Sequence, residues 1–396
     1  MNPDLKEPEA ALLEQSAGRA FKLLGTTPKN QFESAEFLES GRARRGAPDN
    51  YDRALIARSL LSRWSQTPTA DLSGRDRSQE ADLLAGQLVY NAQEAMRVMT
   101  DDGPNAALSL SHTLALESVI LSRGRPALRV MEHAIEPIDD ERHPGSGFWR
   151  TILNDHEHTL AATASAVAAV MVKDHFAPTP ETVVGTAWLL GPNLAITNRH
   201  VLFPDYGLRL ARRQPGNPTQ ARLKSDVGVS LDFAYDNGPA RQLRYAVDAV
   251  VFVCEPNDPV DVALLRVKPT AAPPFATPKP LTLNTDASEW EGNFVYAVGH
   301  PGRMAQVPSD IAAVFGNPDG RKRVSFGELM DPDPNSAVDL LYDASTIGGY
   351  SGGPATPIGS EGVIGLHYWG GDVKSGNRAI IASALRAHAL NQFLPA

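Results

Sequence analysis

The sequence predicts a chain of two parts, an all-α first half followed by an all-β second half. Three observations predict it. Alanine and leucine recur at helical spacing through the first 175 residues. A proline-rich break, Phe-Ala-Pro-Thr-Pro, begins at Phe176. Beyond it, short apolar and β-branched runs alternate with Gly- and Pro-rich turns.

The expected helices cover residues 9–24, 51–64, 79–99, 105–121, 128–138 and 148–172. In the first, Leu12, Leu13, Ala17, Ala20, Phe21 and Leu24 fall on one face. In the second, Leu55, Ile56, Leu60, Leu61 and Trp64 do the same. Pro104 suits the first turn of the fourth. β-Branched runs are rare before Val167, and Ala and Leu are strong helix formers. No fixed-period repeat is visible. The expected organisation is a helical domain at 1–175, a linker at 176–180 and a β domain at 181–396.

With 396 residues, 42% hydrophobic and 21% charged, the chain has globular composition and room for two domains. The net charge of -9 is spread over both halves, so neither carries the basic footprint of a nucleic-acid binder. No apolar window is long enough to span a bilayer, and no membrane partner is expected. Cys254 is the single cysteine, which excludes an intramolecular disulfide and leans toward a reducing compartment. It lies in an apolar run and reads as a buried small hydrophobe. The first residues lack the basic-then-apolar pattern of a signal peptide. Cytoplasmic localisation is the expectation. His156 and His158 stand two apart on a helical stretch, do not share a face and give no metal site.

Three local patterns in the second half carry chemistry. They are TAWLLGPNLAITNRHV at 186–201, DPVDVALLRV at 258–267 and YDASTIGGYSGGPA at 342–355. Each alone has an ordinary structural reading, as a strand end, a loop cap or a turn. Together they place His200, Asp261 and Ser351 in order. A serine hydroxyl needs a base to take its proton, and histidine has the matching pKa near neutrality. An aspartate fixes the imidazole tautomer. Asp258 and Asp248 head no equally good strand and are less favoured. Small residues around Ser351 allow close approach of a polypeptide backbone.

These segments resemble the trypsin/chymotrypsin superfamily, and within it the bacterial V8-like glutamyl endopeptidases. The resemblance covers about 215 residues, 181–395. It implies a chymotrypsin-like double β-barrel and a serine endopeptidase acting through an acyl-enzyme on a protein or peptide substrate. It implies a triad of His200, Asp261 and Ser351, and an oxyanion hole from the N–H groups of Gly349 and Ser351. Ser345 and Thr346 then line the primary pocket, with no aspartate to favour Lys or Arg. His367 stands where the V8-like enzymes carry a histidine that binds an acidic side chain, so cleavage after Glu or Asp is expected. Tyr368 is an extra residue before Trp369, and either could line the pocket instead. Arg199 departs from the commonest motif, in which a small residue precedes the histidine. No cofactor and no metal are expected. The helical half is expected to be a regulatory module that binds a protein partner or activator. The alternative is a non-catalytic interaction or scaffold protein built on a protease fold.

Overall fold

The computed structural model describes residues 74–102, 125–132, 134–139, 142–143, 146–176, 180–204, 208–237, 242–270, 277–286, 294–303, 314–316, 318–370 and 376–395. The chain divides into two compact units, Met1–Gly124 and Arg125–Ala396. In the first, helix α1 spans Gly74–Asp102 and contains the expected helix at 79–99. Its Ala85, Ala92 and Ala95 are fully buried and share a face. The expected helices at 9–24, 51–64 and 105–121 lie outside the described residues, as does most of the region expected to be all-α.

The second unit begins about fifty residues before the expected linker, and here the sequence reading is corrected. Residues 128–138, expected as helix, form strands β1 (Ala127–Met131) and β2 (Ala134–Ile135). In β1, buried Leu128 and Val130 flank exposed Arg129, a period of two that a five-residue run hides from sequence inspection. Helix α2 (Gly147–Ser165) stops short of its expected end. Strand β3 (Val167–Asp174) takes over because its first six residues are all buried, which leaves no polar face for a surface helix.

Strands β4 (Thr182–Gly191) and β5 (Leu194–Thr197) lead into a one-turn helix, α3 (Arg199–Leu202). A separate hairpin follows, β6 (Ala211–Gln214) with β7 (Asn217–Leu223). Strands β8 (Val227–Asp232), β9 (Arg244–Val253) and β10 (Ala263–Pro269) then complete a closed barrel in the order β10-β5-β4-β3-β8-β9. Leu189, Leu231, Tyr245, Leu265 and their neighbours fill it.

The remaining strands are β11 (Phe294–Gly299), β12 (Arg323–Glu328), β13 (Asp339–Tyr342), β14 (Pro354–Pro357), β15 (Gly365–Trp369) and β16 (Asn377–Ile381). They form an eight-stranded sheet in the order β13-β16-β15-β14-β11-β12-β1-β2. The expected second barrel is therefore not found. β1 occupies an edge of β12, through Ala127–Arg129 against Arg323–Ser325. The end of β12 meets β13 at an isolated bridge, Leu329–Tyr342, flanked by hydrogen bonds from the Met330 amide to the Leu341 carbonyl at 2.8 Å and from the Asp343 amide to the Glu328 carbonyl at 3.0 Å. Helix α2 covers this sheet. Trp149 packs edge-on to Phe294 of β11 at 5.7 Å and against Phe326 of β12 at 5.5 Å. The chain ends in α4 (Ala382–Ala387) and a 3-10 turn, Ala389–Phe393.

This organisation makes a direct prediction. A fragment 181–396 lacks β1, α2 and barrel strand β3, so it opens the barrel and strips one face of the second sheet. It is expected to show no cooperative urea transition by near-UV circular dichroism, whereas 125–396 shows one. A cooperative transition in 181–396 would refute the boundary.

Candidate active site

The histidine reaches its place through the end of β5. Thr197 and Asn198 are fully buried where the strand stops, and α3 then lifts His200 to the barrel rim, its side chain 40% exposed. Asn198 Nδ2 donates to the carbonyl of Asp261 at 2.9 Å, which ties the histidine segment to the loop between β9 and β10. Asp261 completes the contact with both carboxylate oxygens. Oδ1 accepts from the His200 amide at 3.1 Å, and Oδ2 lies 2.5 Å from the ring Nδ1.

Arg199 explains its own departure from the commonest motif. Its guanidinium donates to the carbonyls of Glu255 and Asp258, and its Nε lies 3.6 Å from Asp261 Oδ1. It braces the aspartate loop from the residue beside the histidine. Cys254, Asp258 and His388 place potential ligand atoms within 4.8 Å of one another. Their chemistry is that of a clamp. His388 Nδ1 accepts from the Leu390 amide at 3.1 Å, so its proton sits on Nε2, which donates to Asp258 Oδ2 at 2.9 Å. Burial pushes the Cys254 thiol up to about 12, far from the thiolate a metal needs.

Ser351 sits in the turn between β13 and β14. Thr186 of β4 holds that turn onto the barrel: its amide donates to the Ser351 carbonyl at 2.8 Å, and its hydroxyl to the Gly349 carbonyl at 2.7 Å. Gly185 packs between the segments that carry His200 and Ser351. A Cβ there would lie 2.8 Å from Val201, the neighbour of His200, and 3.3 Å from the Ser351 carbonyl. Gly349 has φ +104°, open to glycine alone at low cost. The amides of Gly349 and Ser351 have no acceptor among the described residues.

Of the expected pocket residues, His367, Tyr368 and Trp369 lie on β15 and Thr346 bonds to β16, whereas Ser345 bonds to the segment ahead of β1. Ser345 donates to the Arg125 carbonyl at 2.7 Å, and Thr346 to Asn377 Oδ1 at 2.6 Å. His367 is buried, with Nδ1 2.7 Å from the Tyr342 hydroxyl. Burial, and then the neighbouring His200, hold its pKa down to about 3. The extra residue, Tyr368, is absorbed as a bulge. His367 pairs with Ala379 and Trp369 with Arg378, while the Tyr368 hydroxyl turns away to Asp339 at 2.8 Å. Trp369 is 46% exposed.

Sequence inspection missed Thr186, Asn198, Tyr342, Asn377 and Arg125. The Arg125 guanidinium forks onto Asp343 at 2.8 and 2.9 Å and reaches Glu328 at 3.2 Å, bracing the pocket segment. Thr186, Asn198 and Tyr342 lie within the three local patterns, whereas Asn377 and Arg125 lie outside them.

A histidine–aspartate pair on a barrel rim, beside a glycine-flanked serine turn with open amide donors, fits serine-protease chemistry. Residues 185–366 match the model of the trypsin-like peptidase domain. The chain carries a trypsin-like serine-protease domain. Among solved structures it is similar to an HtrA-type protease, AlgW with a decapeptide, at 17% identity and TM-score 0.36, over 58% of this chain and 64% of that one. The chain thus spans just under two thirds of that relative. It is similar also to the Rv3671c protease of M. tuberculosis H37Rv in an inactive form, at 18% identity and TM-score 0.34, over 61% and 94% of the two chains. A serine endoprotease from Yersinia pestis matches at 16% identity and TM-score 0.35, over 65% and 67%. No curated protein sequence matches significantly.

Two expectations change. The comparisons reach trypsin-like peptidases in general and not the V8-like branch specifically. The expectation of a cytoplasmic location is not upheld by the comparisons and is withdrawn. A single cysteine was too weak a basis for a compartment. No described helix is long and apolar enough to cross a membrane.

Proposed function

We propose that this chain is a serine endopeptidase in which Ser351 is the nucleophile, His200 the general base and Asp261 the group that orients the base. The observation that carries the reading is the two-point contact of Asp261 with His200, on the barrel strand system that also grips the Ser351 turn through Thr186. His200 Nε2 takes the Ser351 proton as Oγ attacks the scissile carbonyl. Asp261 accepts Nδ1–H and favours the imidazolium that forms. The Gly349 and Ser351 amides receive the developing oxyanion. His200 then gives its proton to the leaving amine, and water repeats the sequence on the acyl-enzyme.

The same reading extends to cleavage after Glu or Asp, now resting on His367 alone. The Thr346 and Ser345 hydroxyl protons are already given to internal acceptors. The Tyr342 hydroxyl has no other acceptor among the described residues, so it donates to His367 Nδ1 and leaves the proton on Nε2. That N–H would serve a substrate carboxylate, which is costly to desolvate without a donor.

Digestion of a proteome-derived peptide library tests the reading. Cleavage is expected mostly after Glu and Asp, and His367→Phe is expected to lower the Glu-over-Gln ratio by roughly tenfold or more. With His367 held neutral down to about pH 3, that ratio should stay flat from about pH 6 to 9. Cleavage mostly after other residues would overturn the acidic preference and leave the triad standing. No cleavage at all would count against the triad.

A further inference from the structure

The β6–β7 hairpin carries a feature that the catalytic reading does not use. From Leu208 to Lys224 the chain has five cationic residues and no acidic one, within a protein of net charge -9. Arg212 and Arg222 stand directly opposite each other across the hairpin, both exposed. Like charges at that position destabilise a strand pair. Neither forms a close ion pair among the described residues, although the charges of Arg212 and Asp226 interact at longer range. Lys224 does form one, with Asp226 at 3.0 Å.

These side chains line a groove of about 690 Å³ with Arg213, Phe176, Pro215, Leu223 and one carboxylate, Asp226, which Lys224 engages. It mixes cationic and apolar walls. The hairpin is fixed to the triad segments. The Leu210 amide donates to the Leu202 carbonyl at 2.9 Å, two residues beyond His200. The Arg213 guanidinium lies over the Phe203 ring at 4.9 Å and donates to the Cys254 carbonyl at 2.8 Å, at the start of the aspartate loop.

We infer that this groove is a docking site for an acidic segment of a polypeptide substrate, separate from the residue cut. The inference rests on the endopeptidase reading for the word substrate, but not for the binding itself. An acidic segment supplies the close carboxylates that the opposed Arg212 and Arg222 lack, and its apolar neighbours meet Phe176 and Leu223. A nucleic acid fits less well, since the chain as a whole is acidic and Phe176 is the one aromatic ring in the groove lining.

The test is fluorescence anisotropy with the full chain carrying Ser351→Ala, which leaves bound peptide uncut. The probes are a fluorescein-labelled Glu-rich peptide, its Gln counterpart and a single-stranded oligonucleotide. The Glu peptide is expected to bind, and to weaken as salt rises. The Gln peptide is expected to bind about tenfold more weakly, and Arg212→Glu with Arg222→Glu is expected to cost at least that much. Arg212→Gln with Arg222→Gln, a milder exchange, should lose less but in the same direction. In a chain that keeps Ser351, neither pair should alter fluorophosphonate reactivity. Equal binding of the Gln peptide, unchanged binding by both variant pairs, or tighter binding of the oligonucleotide would each overturn the proposal. Loss of fluorophosphonate reactivity in the parent chain, with acidic binding intact, would instead sink the protease reading and leave the groove.

Discussion

Asp261→Asn is expected to lower kcat by on the order of 10⁴ while leaving the fold intact. The asparagine carbonyl can still accept the His200 amide, as Oδ1 does now at 3.1 Å. Its NH₂ group, however, would face the ring nitrogen that now contacts Oδ2 at 2.5 Å. The imidazole must then accept at Nδ1 and carry its proton on Nε2. In that tautomer it cannot take a proton from Ser351. The backbone of the loop is held independently, by Asn198 on the Asp261 carbonyl and by the Arg199 guanidinium on those of Glu255 and Asp258. The melting temperature should therefore shift little. Kinetics on a peptide ester, alongside thermal unfolding, would check both halves. Activity within tenfold of the parent would mean that Asp261 does not orient the base.

The second large effect is at Gly349. With φ +104° it already holds a backbone shape that an L side chain rarely takes. A Cβ there would lie 2.2 Å from the His300 carbonyl and 2.7 Å from the Gly302 amide. Those are backbone atoms of a packed neighbour, so the turn itself must move. The Gly349 amide would move with it. Gly349→Ala is expected to lower kcat by about 10²–10³, the cost of one misplaced oxyanion donor, with KM changed far less. Gly348→Ala is the matched control, because its Cβ would meet nothing within 4 Å. Equal loss in both variants would show that general crowding, rather than the donor, sets the rate.

These two residues show what the sequence could and could not disclose. The contact of His200 with Asp261 could be anticipated, and Ser351 proposed, because each lies in a short contiguous pattern, where a strand end, a strand start or a glycine turn dictates residue types locally. The pairings that shape the pocket were not. Tyr342 meets His367, and Thr346 meets Asn377, across sheet register that joins positions 25 and 31 residues apart. Tyr368 reads as an extra residue before Trp369, and a bulge at one position absorbs it while pairing continues on both sides.

The first half was read less well for a different reason. The run 166–172 is continuously apolar, and periodicity does not separate a buried strand from the tail of a helix. Pairing with β4 and β8 decided it. Likewise β1 is too short to show its period, and only β12 reveals that the segment from Arg125 belongs with the protease. The open second sheet follows from the same fact, since an edge taken by β1 changes the sheet that sequence analogy expected to close.

The central claim is that Ser351 is a nucleophile activated by His200. Reaction of the full chain, and of 125–396, with a fluorophosphonate tests it most directly, with the adduct located by peptide mass mapping. A single adduct on Ser351 is predicted, absent in Ser351→Ala and strongly slowed in His200→Ala. No adduct in either chain, an adduct on another residue, or labelling that survives Ser351→Ala would contradict it.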